Sequence, residues 1–151
     1  MSTIALIGGT GAGLYPMDAI RTDSAAVTRW GAASAPLIRW EQDGHELVFL
    51  RRHGADGTLP PHKVNYRANI QLLRDAGVDW VVASNAVGGI APEAVPGSVV
   101  IPDQLIDYSW GREQSFYDGT SGELEHVDMT APFDGVLRQH LLDAAVRAGV
   151  D

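Results

Sequence analysis

Three short apolar runs, each halted by an abrupt change of chemistry, constrain the fold of this chain more than any other feature. Thr3-Ile4-Ala5-Leu6-Ile7 stops at Gly8-Gly9, Leu47-Val48-Phe49-Leu50 at Arg52-His53-Gly54, and Trp80-Val81-Val82-Ala83 shortly before Asn85-Ala86-Val87-Gly88-Gly89. Continuous apolar runs of this length read as strands buried on both faces, as in a parallel sheet. Residues 37–40 and 46–51 are also strand-like, and Asp43-Gly44 between them is a strong hairpin signal, so one pair is expected to be antiparallel. Residues 65–76 carry Ile70, Leu72, Leu73 and Ala76 at helical spacing, with Asn65 as N-cap and Gly77 as the stop. Residues 98–101 read as a further strand ended by Pro102, and residues 133–148 as a second helix closed by Gly149. Strand, helix and strand in alternation predict an α/β fold with a mixed, largely parallel central sheet flanked by helices.

Residues 1–151 are expected to form a single α/β domain. The string Ala-Gly-Val-Asp at residues 76–79 leads straight into the run at Trp80, and the same string recurs at residues 148–151. By that analogy the chain stops where another strand would begin, so we expect it to be the N-terminal portion of a longer fold. Residues 107–132 show no period and read as a long loop, of the kind that often carries function.

Composition removes several function classes. Nineteen acidic against eleven basic residues give a formal charge of -8, which argues against a nucleic-acid binder. There is no cysteine, so disulfides and thiolate metal sites are excluded. The histidines, at 45, 53, 62, 126 and 140, lack ligand spacing, and no metal is expected. No run approaches the about 20 apolar residues of a membrane span, and the first residues lack a basic leader. A cytoplasmic protein without membrane or nucleic-acid partners is the expectation.

The strand ends carry the candidate chemistry. In one parallel sheet such ends converge on one edge, where α/β proteins bind ligands. Arg52 offers a planar fork of donors suited to phosphate, beside His53. Gly8-Gly9-Thr10-Gly11 permits close backbone approach to an anion, and so do the small residues after Ala83. The first turn fails the dinucleotide fingerprint, because Leu14 stands where the third glycine belongs. It fails the triphosphate loop as well, since Leu14 follows Gly13 where that loop needs lysine. Each turn alone could be plain structural punctuation; together they suggest a small-anion site. Asp103 and Asp107 are a weaker acid/base candidate, and His126 is a lone loop histidine.

Taken in order, Gly8-Gly9-Thr10-Gly11, Arg52-His53-Gly54, Lys63-Val64-Asn65-Tyr66-Arg67-Ala68-Asn69, Asn85-Ala86-Val87-Gly88-Gly89, Asp103-Gln104-Leu105-Ile106-Asp107 and Ser115-Phe116-Tyr117-Asp118-Gly119 span essentially the whole chain. The chain resembles the trimeric purine nucleoside phosphorylase superfamily, specifically 5'-methylthioadenosine phosphorylases and their bacterial methylthioinosine-specific relatives. The resemblance implies phosphorolysis of a 5'-methylthio-purine nucleoside to free purine and 5-methylthioribose 1-phosphate, a pentosyl transfer with inorganic phosphate as co-substrate and no cofactor. It implies phosphate contacts from Thr10, Arg52, His53, Asn85 and Ala86. It also implies a homotrimer in which His126 reaches the neighbouring subunit's 5'-substituent pocket.

Three departures from the family pattern matter. Gly57 stands where the family usually has a histidine, Asn85 stands where eukaryotic members commonly have threonine and bacterial ones asparagine, and family chains run well beyond this length. The acid that protonates the purine is expected beyond Asp151, so no catalytic acid is assigned. The alternatives are a purine nucleoside phosphorylase acting on inosine or guanosine, a non-catalytic phosphate- or nucleoside-binding fragment, and a nicotinamide-dependent oxidoreductase.

Overall fold

The computed structural model describes residues 1–9, 21–120, 122 and 124–150. These fall into two compact units: residues 1–86 with 111–116, and residues 87–110 with 117–151.

The first unit is built on a mixed sheet. Its strands are β1 (Thr3–Gly8), β2 (Arg21–Thr22), β5 (Ile38–Gln42), β6 (His45–Arg51) and β7 (Trp80–Ala83), in spatial order β2-β5-β6-β1-β7. Two further short strands, β3 (Val27–Thr28) and β4 (Gly31–Ala32), pair with each other. β1 lies between β6 and β7 and runs parallel to both. β5 and β6 form the antiparallel hairpin that Asp43-Gly44 announces. Both turn residues adopt positive φ, 51° at Asp43 and 77° at Gly44, as a two-residue hairpin loop requires.

Alternation along the strands sorts the core into two layers. Ala5, Val48, Leu50 and Leu37 point to one face, where Leu72 and Leu73 of α1 (Tyr66–Asp75) and its C-cap Ala76 cover them. Ile38, Trp40 and Phe49 form the opposite layer, with Leu6 and Leu47 against it. At the amino-terminal end of the parallel strands a polar chain crosses the sheet. Arg39 donates to Asp23 at 2.8 Å and pairs with Glu46 at 3.2 Å, and Glu46 accepts from Thr3 Oγ1 at 3.4 Å. Burial disfavours the charge on Arg39, but its bonds and attraction to both carboxylates outweigh that, and its pKa is raised.

α1 starts where the sequence places its cap. Pro61–Lys63 form a 3₁₀ turn, and Asn65 then accepts from Ala68 N–H at 3.1 Å. The Asn65 amide also donates to Trp30 O at 2.7 Å. One turn on, buried Asn69 accepts from Ser34 N–H at 2.8 Å and donates to Ser34 Oγ at 2.9 Å. Two asparagines thus fasten α1 to the segment around β4. The helix ends at Gly77, φ 74°, which is free of the steric penalty other residues meet there.

Residues 111–116 belong to the first unit, although the sequence offers only a featureless loop there. Trp30 is stacked by the guanidinium groups of Arg29 at 4.5 Å and Arg67 at 4.4 Å, and Phe116 meets its ring edge-on at 5.7 Å. Arg67 pairs with Glu113 at 3.2 Å and donates to Ser115 O at 3.3 Å, while Arg112 stacks on Tyr66 at 4.6 Å.

The second unit carries α2 (Gly135–Ala148), capped by Asp134 accepting from Leu137 N–H at 2.8 Å and closed by Gly149 at φ 64°. Arg138 donates to the carbonyls of Pro102 and Ile101. The strand expected at residues 98–101 does not form. That stretch has no ladder partner among the described residues, and Val100 is 70% exposed. An apolar run becomes a strand only where a neighbouring backbone takes up its N–H and C=O groups. No helix among the described residues is long and apolar enough to cross a membrane.

Asn65→Ala removes a helix cap and leaves Trp30 O without its partner. We expect a loss of about 2 kcal/mol in urea unfolding at unchanged m-value. Trp30→Ala takes away the surface shared by Arg29, Arg67 and Phe116. Amide exchange should then accelerate at Glu113, Ser115 and Phe116 well before it does in β1.

Candidate functional site

The parallel pairing of β1, β6 and β7 brings three strand ends to one edge, and the backbone joins them just past the ladder. Arg52 N–H donates to Gly8 O at 3.1 Å, and Ser84 N–H donates to Ile7 O at 3.0 Å. The last residues of β1 therefore sit between the first residues after β6 and β7.

Arg52 crosses this edge. Its Nη1 donates to Ser84 O at 2.6 Å, its Nε donates to His53 Nε2 at 3.2 Å, and its guanidinium lies against Gly9. A Cβ on Gly9 would collide with Nη2 and come within 2.7 Å of Cζ. Glycine at this position is thus a steric requirement of the arginine. A half-buried guanidinium reaching all three strand ends places a positive charge and a fork of donors at this edge of the sheet.

His53 is held from behind. Its Nδ1 donates to Leu59 O at 2.8 Å, and Leu59 N–H returns a bond to His53 O at 2.8 Å. Gly54 and Gly57, at φ 87° and 75°, turn the intervening loop, and Gly57 N–H closes on Gly54 O at 3.2 Å. Within it Asp56 accepts from Thr58 N–H and Oγ1, and these bonds lower the Asp56 pKa.

Of the residues singled out in the sequence, Arg52, His53 and the Gly8-Gly9 turn are brought together, and Asn85 and Ala86 follow directly on Ser84. Thr10 lies outside the described residues. Asp103, Asp107 and His126 belong to the second unit, where His126 is exposed. The carbonyls of Ser84 and Leu59 escaped sequence reasoning. A backbone oxygen leaves no mark in residue identity, and only strand register decides which one meets the arginine.

The phosphorylase superfamily model matches residues 3–151. The chain belongs to the phosphorylase superfamily. Over 148 residues it is 43% identical to a Xanthomonas campestris protein named "Probable S-methyl-5'-thioinosine phosphorylase", covering 97% of this chain and 59% of that one. It is 38% identical over 155 residues to the 6-oxopurine nucleoside phosphorylase of Pyrococcus furiosus, covering 99% of this chain and 57% of that one. The methylthioadenosine phosphorylase of Schistosoma mansoni, solved in complex with tubercidin, superposes with a TM-score of 0.88 at 34% identity. That superposition covers all of this chain and 54% of the other. The chain thus spans between half and two thirds of the length of these relatives. The mixed sheet with its parallel β6-β1-β7 portion is the nucleoside phosphorylase fold.

Gly9→Ala tests the contact beneath the arginine. The added methyl should displace the guanidinium, a flexible group, so unfolding stability should change by less than about 1 kcal/mol. Sulfate affinity, measured by calorimetry, should nevertheless fall at least about tenfold.

Proposed function

We propose that the protein of which this chain forms part cleaves a 5'-methylthio-purine nucleoside, methylthioinosine or methylthioadenosine, with inorganic phosphate. The products are free purine and 5-methylthioribose 1-phosphate. The observation that carries the reading is the Arg52 guanidinium lodged across three strand ends, against Gly9 and bonded to Ser84 O and His53, in a chain of this superfamily.

The chemistry asks for such a group. A phosphate oxygen forms a bond to the anomeric carbon as the glycosidic C–N bond breaks, and the bonding pair leaves with the purine. The sugar passes through an oxocarbenium-like state, which a dianion held beside it stabilises. Arg52 holds and orients that dianion through charge-assisted bonds. The Asn85-Ala86 turn and Thr10 complete its coordination, and His53 belongs to the same cradle. The departing purine takes up a proton, and we assign that donor to no residue of this chain. No cofactor enters the scheme; phosphate is a substrate. The working assembly is a homotrimer in the cytoplasm, with His126 lent to a neighbour's 5'-pocket.

A second reading, a phosphorylase of 6-oxopurine nucleosides, is favoured by the relatives that carry that name, from Pyrococcus furiosus and Dictyoglomus turgidum. Phosphate-dependent cleavage of methylthioinosine, methylthioadenosine, inosine and adenosine by the full-length protein separates the two. The first reading expects the methylthio substrates to lead in kcat/KM; inosine ahead of both would establish the second. Arg52→Ala should raise the KM for phosphate by about 100-fold, the worth of two charge-assisted bonds, and leave purine binding nearly intact. Unchanged phosphate kinetics would remove Arg52 from its role.

A further inference from the structure

His53 stands between two partners that leave its ring no choice of form. Nδ1 lies 2.8 Å from the carbonyl oxygen of Leu59, which can only accept, so Nδ1 carries the hydrogen. Nε2 lies 3.2 Å from Nε of Arg52, and a guanidinium can only donate, so Nε2 presents its lone pair. The neutral Nδ1–H tautomer satisfies both; the other tautomer sets donor against donor at Arg52 and acceptor against acceptor at Leu59.

The Leu59 side of this clamp is itself tied down. Leu59 N–H bonds His53 O, Gly57 N–H bonds Gly54 O, and Asp56 binds both Thr58 N–H and Thr58 Oγ1. Gly54 is buried, and a Cβ there would come within 3.1 Å of Asp56 Oδ1 and 3.6 Å of Leu59 Cβ. The loop fixes the ring, the ring fixes Nε, and Ser84 O fixes Nη1 at 2.6 Å.

We infer that His53 is a positioning residue for Arg52: it orients the guanidinium by accepting a hydrogen bond at Nε2, and Nε2 does not donate to phosphate. The inference rests on the reading of Arg52 as the phosphate-holding group and gives its neighbour a distinct role. A side chain at this position then needs an acceptor at the distance of Nε2. Glutamine reaches that far with its amide oxygen. Asparagine ends near Nδ1, so it keeps the reach to Leu59 O and loses the reach to Arg52.

The test pairs spectroscopy with affinity on the full chain. Two-bond 1H–15N spectra of histidine-labelled protein, with and without inorganic phosphate, should show His53 protonated at Nδ1 and bare at Nε2 in both states. By calorimetry His53→Asn should weaken phosphate binding about tenfold, the loss of one bond to a charged group, while His53→Gln stays within about threefold of wild type. A proton on Nε2 in the phosphate-bound spectrum would overturn the inference and make His53 a direct donor. A glutamine variant as weak as the asparagine variant would overturn it too. Failure of the underlying reading looks different: the wild-type chain would bind no phosphate, and the His53 signals would not move when phosphate is added.

Discussion

Everything at the candidate site follows from the position of β1 between two parallel neighbours. The ladder pairs Ile7 with both Leu50 and Ala83, and it pairs Gly8 with Arg51. One residue later the same backbone accepts from Arg52, and the Ile7 carbonyl accepts from Ser84. Because a parallel ladder repeats evenly, three carboxyl ends arrive side by side, and an arginine from one of them can touch the other two. A slip of one residue in β6 would turn Arg52 to the opposite face of the sheet.

The rest of the first unit holds that register. Ala5, Val48 and Leu50 are fully buried beneath α1, so their face cannot be exchanged for the other without exposing the core. The Asp23–Arg39–Glu46–Thr3 chain ties the strands together at the end remote from the site. The Arg67–Trp30–Arg29 stack, with Phe116 at its edge, fastens residues 111–116 to the same unit. A rigid scaffold carrying a short, tightly bonded turn suits an anion site, since an orienting charge loses its effect when it moves.

Much of this was legible before any coordinates. The Gly8-Gly9 pair and a charged residue at the ends of apolar runs marked the sheet edge. Asp43-Gly44 marked the hairpin, Asn65 the cap of α1, and Gly149 the end of α2; each is a local signal with a local cause. Residues 98–101 show where such signals stop. Their β-branched composition suits a strand, yet pairing depends on a partner that the residues themselves do not contain. The Trp30 stack is the opposite case: Arg67 and Phe116 lie far from the Arg29-Trp30 pair in sequence, and nothing in any one segment announces the others.

The sequence by itself determined the kind of fold, the sheet edge at which the candidate residues meet, and the arginine most suited to an oxyanion. These depend on periodicity, turn propensity and side-chain chemistry, all of which act over a few residues. Tertiary structure alone decided that Arg52 rests against Gly9, that Ser84 O and His53 share its donors, and that Leu59 O lies 2.8 Å from Nδ1 of that histidine. Those contacts are made by backbone carbonyls and a missing Cβ. Their positions come from strand register and loop closure, which exist only once distant segments have paired.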